Sequence, residues 1–187
     1  MPISLRLIVL LLTGLTIAGC DRQKADAPQA PVGGAAAEAD GGKGIDRSNA
    51  GRAAPVAAFK DPDGAGSSIA AFAGAPVLVN LWATWCGPCV KELPTLDALA
   101  AKGGALKVIA VSQDDGEQST VHSFLSDKKI GRFAAYHDKD MALSTALGVQ
   151  ILPTTLLFDS AGKEVWRFTG DLDWTSAEAA TLLAEAK

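Results

Sequence analysis

Val77-Leu78-Val79-Asn80-Leu81-Trp82-Ala83-Thr84-Trp85-Cys86-Gly87-Pro88-Cys89 is the stretch that decides the fold: an apolar run gives way to a cysteine pair with glycine and proline between its members. The run from Val77 to Trp82 reads as a strand buried on both faces, and therefore as part of a sheet covered by helices. From Cys86 to about Lys102 the pattern turns helical. Val90, Leu93, Leu96 and Leu99 or Ala100 fall on its inner side, and Gly103-Gly104 ends it. Pro94 lies inside this helix, lacks a donor for the carbonyl of Val90, and predicts a kink there.

Two cysteines separated by two residues can close a small ring if a helix starts at the first. At a helix start the Cys86 sulfur faces unpaired backbone N–H groups and the positive end of the helix dipole, which favour thiolate over thiol. Cys86 is therefore the expected nucleophile. Cys89, one turn further in, is expected to be more buried and to resolve the mixed disulfide that Cys86 forms. Two plainer readings of the pair are half a zinc site and a structural disulfide. Zinc wants four ligands, and the chain adds only Cys20, far away, and the isolated His122 and His137, which read as surface residues on polar segments. A structural disulfide leaves Gly87 and Pro88 unexplained. The strand-then-helix setting fits a redox pair, so no metal site is expected.

The chain has 187 residues, 48% hydrophobic and 20% charged, with a net charge of -4, which fits one globular domain with appendages. The acidic balance and the lack of a lysine or arginine cluster give no support to nucleic-acid binding. Met1 to Cys20 carries Arg6 and then an apolar stretch, Leu7 to Ala18, too short for a comfortable membrane span, so residues 1–19 read as a secretory leader. Its ending, Ile17-Ala18-Gly19-Cys20, resembles the lipobox of bacterial lipoproteins, which implies acylation of Cys20; a conventional signal with a chance cysteine is the plainer alternative. Asp21 after such a cysteine implies, by resemblance to enteric lipoproteins, retention at the inner membrane. Residues 20–54, rich in Ala, Gly and Pro with almost nothing large to bury, read as a flexible linker reaching about 30 Å.

The domain is expected over residues 55–187. Val56 to Phe59 and Ser68 to Ala70 flank the turn signal Asp61-Pro62-Asp63-Gly64 and predict a hairpin. A second buried strand, Leu106 to Val111, is followed by a helix from about Ser119 to Asp127. A short segment from Phe133 to Tyr136 and a helix near Met141 to Leu147 come next. After Leu152-Pro153-Thr154 a strand runs to Phe158, Glu164 to Thr169 pairs with it, and Ser176 to Ala186 closes the chain as a helix. This alternation predicts an α/β fold.

With WCGPC after a buried strand and Leu152-Pro153-Thr154 before a later one, the domain resembles the thioredoxin superfamily over nearly its whole length. Asn80-Leu81-Trp82-Ala83-Thr84-Trp85-Cys86 together with Lys91-Glu92-Leu93-Pro94 resembles its membrane-tethered TlpA, ResA and CcmG branch. The resemblance implies a thioredoxin-like fold: a central mixed sheet flanked by helices, an N-terminal hairpin and a central helix-strand insertion. It implies Cys86 as nucleophile, Cys89 as resolving cysteine, Pro153 as a cis-proline facing them, and Trp85, Gly87, Pro88, Leu152 and Thr154 as substrate contacts. Trp82 is expected in the core. Thioredoxin has a buried, proton-shuttling aspartate where this chain has Asn80, and an amide cannot take that role. Glu92 matches a glutamate that the branch places near its cysteines, so it is expected to move the proton or tune the thiols, unless it is a solvated residue beside Lys91.

The activity implied is that of a thiol-disulfide oxidoreductase, reducing disulfides of client proteins at the periplasmic side of the bacterial cytoplasmic membrane. Cytochrome c maturation and copper-site cysteines are the open client classes. The redox-active Cys86–Cys89 disulfide is the only redox group expected, with no added cofactor. Partners would be client thiols, a membrane electron donor of the DsbD or CcdA type, and the membrane itself through the lipid anchor, the protein acting as a monomer. A disulfide oxidant or isomerase, and a non-catalytic binding or metal-carrier module on the same fold, are the alternatives.

Overall fold

The structure is a computed structural model and describes residues 43–186. The expected leader, Cys20 and the first part of the linker lie outside the described residues. The elements in chain order are β1 (Gly44–Asp46), β2 (Phe59–Lys60), β3 (Gly66–Ser67), β4 (Val77–Trp82), α1 (Gly87–Ala101), β5 (Lys107–Ser112), α2 (Gln118–Asp127), β6 (Ala134–His137), α3 (Ala142–Leu147), β7 (Thr154–Phe158), β8 (Glu164–Thr169) and α4 (Ala177–Leu183). The eight strands of the described residues join one mixed sheet in the order β1-β8-β7-β4-β5-β6-β2-β3. β4, β5 and β6 run parallel, joined through α1 and α2, whereas β7 lies antiparallel to β4.

Side chains alternate across a strand, and β4 shows what that does here. Leu78 and Trp82 face a core built with α1, α2 and α4, while Val77, Val79 and Leu81 face a second core closed by α3. Asn80 shares the face of Leu78 and Trp82 and so is aimed at α1. That helix buries Cys89, Glu92, Leu93 and Leu96. Leu93 and Leu96 are fully buried and contribute about 2 kcal/mol each by transfer from water. Val90 is only half-buried, so the inner face is turned slightly from the one the apolar residues alone predict. The helix runs on through Pro94, whose exposed position faces away from the sheet.

Three expectations need correction. The folded domain begins before Pro55: Gly44–Asp46, assigned to the linker, pairs with Phe168 and its neighbours on β8, and Ala53 bridges to Lys163. A three-residue strand with one apolar side chain, Ile45, gives no periodic signal, and only its tertiary pairing creates it. The predicted hairpin is present but shorter; Ile69–Phe72 is a 3-10 turn instead of a strand, with Ile69 buried in the second core. His137 is not a surface residue. It closes β6 with its ring buried and Nε2 at 2.7 Å from the carbonyl oxygen of Asp114.

Candidate active site

Parallel strands β4 and β5 end at one edge of the sheet, and antiparallel β7 begins there, so the chain segments around all three meet at that edge. Beyond β4 the backbone turns at Ala83, whose carbonyl accepts from the Cys86 amide at 3.2 Å, and α1 starts at once. Cys86 is its N-cap. Its extended backbone lets the sulfur fold back over the first turn, where it accepts from the Cys89 amide at 3.3 Å. Pro88 suits the first turn, which has no use for its missing N–H. The sulfurs of Cys86 and Cys89 are joined, with Cα atoms 5.2 Å apart. Cys86 is 6% exposed and Cys89 fully buried, so only the first sulfur can meet a large partner.

Gly87 and Pro88 are exposed beside it, and Trp85 is 70% exposed, a large apolar surface left in water next to the disulfide. The Leu152–Pro153 peptide is cis. Leu152 is half-buried, whereas Ile151 just before it is exposed. Thr154 is the candidate contact that the structure turns inward: it is buried, and its hydroxyl donates to the Ile151 carbonyl at 2.7 Å. Trp82 packs in the core against the ring of Phe124, 5.9 Å between centroids.

Glu92 is 3% exposed, three residues after Cys89 and thus on the same face of α1. The reading of it as a solvated surface residue is therefore excluded. One carboxylate oxygen accepts from Asn80 Nδ2 at 2.8 Å, and the other from the Leu172 amide and Trp174 Nε1, both at 3.1 Å. Asn80 spends its second amide hydrogen on Thr155 Oγ1 at 2.9 Å. Burial pushes the Glu92 carboxyl up from 4.5 to about 7; the three N–H donors pull it back, and the charge of Asp171 adds to the rise. A carboxyl that exchanges its proton near neutrality therefore sits one turn from the buried cysteine.

Sequence reasoning missed the group that holds the loop before Cys86. The Asp114 carboxylate, just past β5, accepts from the Thr84 amide at 3.0 Å, from the Thr84 hydroxyl at 2.6 Å and from the Ser112 hydroxyl at 2.6 Å. Its only signal was an acidic pair after a strand end, which turns commonly carry. Thr155 and Trp174 were missed for a different reason, since they reach the site from β7 and from beyond β8.

Residues 49–183 match the Redoxin family. The chain belongs to that family, among thiol-disulfide oxidoreductases of the TlpA, ResA and CcmG kind. It is 36% identical over 100 residues to the thiol:disulfide interchange protein DsbE of Yersinia pestis, covering 54% of this chain and 52% of that one. The match thus spans about half the length of that relative. It is 31% identical over 123 residues to the thiol-disulfide oxidoreductase ResA of Bacillus thuringiensis, covering 65% of this chain and 70% of the relative. The solved structure of a candidate DsbE from Chlorobium tepidum superposes with a TM-score of 0.64 at 26% identity, over 73% of this chain and 96% of the other. The Redoxin match reaches back to residue 49, in keeping with a domain that starts ahead of Pro55.

Proposed function

We propose that this member of the family reduces client disulfides through Cys86 and Cys89, with Glu92 as the acid-base group of the resolving step. The observation that carries this reading is the pairing of a sulfur at the helix N-cap, 6% exposed, with a fully buried cysteine one turn from the buried Glu92 carboxyl. In the dithiol form the Cys86 thiolate attacks one sulfur of a client disulfide. The other client sulfur leaves as a thiolate and takes a proton from water. Cys89 then gives its proton to Glu92 and attacks Cys86 Sγ, expelling the second client thiolate. Two electrons pass to the client, and the Cys86–Cys89 disulfide remains as the product on this chain, with no further cofactor.

Exposed Trp85, Gly87 and Pro88, with Leu152 and cis-Pro153 from the opposite loop, would receive an extended client segment, its backbone pairing beside Pro153. Clients of this geometry are cysteine-bearing segments that are still unfolded, which fits haem-attachment or copper-site cysteines. The lipobox-like Cys20 supports work at the periplasmic face of the cytoplasmic membrane as an anchored monomer, recharged by a dithiol donor of the DsbD or CcdA type. No described helix is long and apolar enough to cross a membrane.

The deciding measurement is the reduction potential of the Cys86–Cys89 pair against glutathione or dithiothreitol buffers. A value near about -270 mV, or well below about -200 mV, supports a reductant, whereas one near about -120 mV makes the protein a disulfide donor and reverses the direction proposed. Alongside it, Cys89→Ser is expected to accumulate mixed disulfides through Cys86, which non-reducing gels and mass spectrometry would identify.

A further inference from the structure

The five residues between β8 and the turn before α4, Gly170 to Trp174, touch the proline loop, Glu92 and the helix that carries the cysteines. The Gly170 amide donates to the Pro153 carbonyl at 2.8 Å. Leu172 N–H and Trp174 Nε1 both close on Glu92, and the Trp174 amide donates to Thr95 Oγ1 on α1 at 3.2 Å. Between these points Asp171 is held by two cations from different parts of the chain, Lys43 at 2.9 Å and Lys91 at 3.2 Å. The Lys43 stem also lies across Gly170, which has φ +99°; a Cβ there would meet Lys43 Cγ at 2.7 Å. One strap therefore joins the proline loop, the helix that bears the cysteines and the residue ahead of β1.

We propose that Asp171 is a positioning residue: clamped between Lys43 and Lys91, it holds the Gly170–Trp174 strap shut over Glu92 and so sets how readily that carboxyl exchanges its proton. The inference rests on the reading of Glu92 as the acid-base group. The groups bonded to the Glu92 carboxylate are Asn80 from β4 and Leu172 and Trp174 from the strap, with Thr155 of β7 behind Asn80, and the charge that acts on it is that of Asp171. Asp171 itself pairs outward, to Lys43 and Lys91, which hold its own carboxyl down to about 2. With the strap shut, Glu92 is dry and feels the charge of Asp171, and both effects favour its protonated form. Released from its lysines, the strap would admit water, which replaces the lost N–H donors and removes the desolvation. Glu92 would then titrate at lower pH.

Ion pairs at the surface weaken with salt, so the clamp is expected to respond to ionic strength while the buried bonds do not. The test is the titration of the Glu92 carboxyl, followed by its 13C shift in the oxidised full-length protein, where the joined cysteines do not titrate. It is run for wild type, Asp171→Asn and Asp171→Glu at low and high salt. The expected result is a midpoint near pH 7 in wild type at low salt. Salt and Asp171→Asn should each lower it by about one unit, the variant losing the salt response, and Asp171→Glu should restore both. A wild-type midpoint retained in Asp171→Asn overturns the proposal. The pH profile of client reduction in Glu92→Gln separates the two layers: a neutral transition that persists there removes Glu92 from the chemistry and the strap with it. A transition lost there while Asp171→Asn still titrates as wild type removes only the strap.

Discussion

Glu92 carries a cost that can be read in stability. Between pH 4.5 and about 7 the native carboxyl keeps a proton that the unfolded chain gives up, so the native state binds more protons there and stability falls as pH rises through that window. The full loss, reached above the native value, is about 3 kcal/mol. Urea unfolding of wild type and Glu92→Gln from acid to mildly alkaline pH should show a slope in wild type that the variant lacks; equal slopes would mean that Glu92 is not held protonated. The residue was legible as a candidate because it follows Cys89 at helical spacing. Its burial was not, because the groups that cover it, Leu172 and Trp174, lie about 80 residues away.

At the scale of elements, two tethers aim the loops that meet at the sulfurs. Asp114 ties the end of β5 to Thr84, two residues before Cys86. Asp114→Ala leaves these donors without an acceptor, with an expected loss of about 1–3 kcal/mol and slower reaction at Cys86, measured by denaturation and by rapid-mixing kinetics. The second tether holds the loop that carries Pro153. Arg167 on β8 makes a two-pronged pair with Glu164, both contacts 2.7 Å, and donates to the Leu147 carbonyl at the end of α3 at 2.9 Å. Both side chains are largely buried. Arg167→Met strands the Glu164 charge and should cost about 3–5 kcal/mol, while replacing both residues by apolar ones recovers most of it. Equal unfolding midpoints for the single and double variants would contradict that account. Neither tether was visible in the sequence, since an acidic pair after a strand and an i, i+3 pair on a strand announce no partner.

For the whole molecule, the centre of the sheet was legible and its rim was not. β4, β5 and β7 are apolar runs, and Gly148, at φ +68°, ends α3 where the sequence put its stop. Edge strands of two or three residues, such as β1, carry no pattern of their own because their stability comes from the neighbour they pair with. The position of β1 has a consequence for where the chain can be cut. A protein that starts at Pro55 lacks β1 and the Ala53 bridge, leaving β8 as a bare edge. It should unfold at lower denaturant than one that starts at Lys43, and associate through that edge in light scattering. Matching curves and equal masses for the two would show that β1 adds nothing.

Of the four tryptophans in the chain, Trp82, Trp166 and Trp174 are at most 1% exposed, whereas Trp85 stands in solvent immediately before Cys86. A dissolved ionic quencher such as iodide therefore reaches one indole and leaves three alone. The quenchable part of the emission belongs to the residue beside the disulfide, and its intensity should follow whether the two sulfurs are joined or parted. The protein would thus carry its own optical gauge of redox state, readable during turnover without a label.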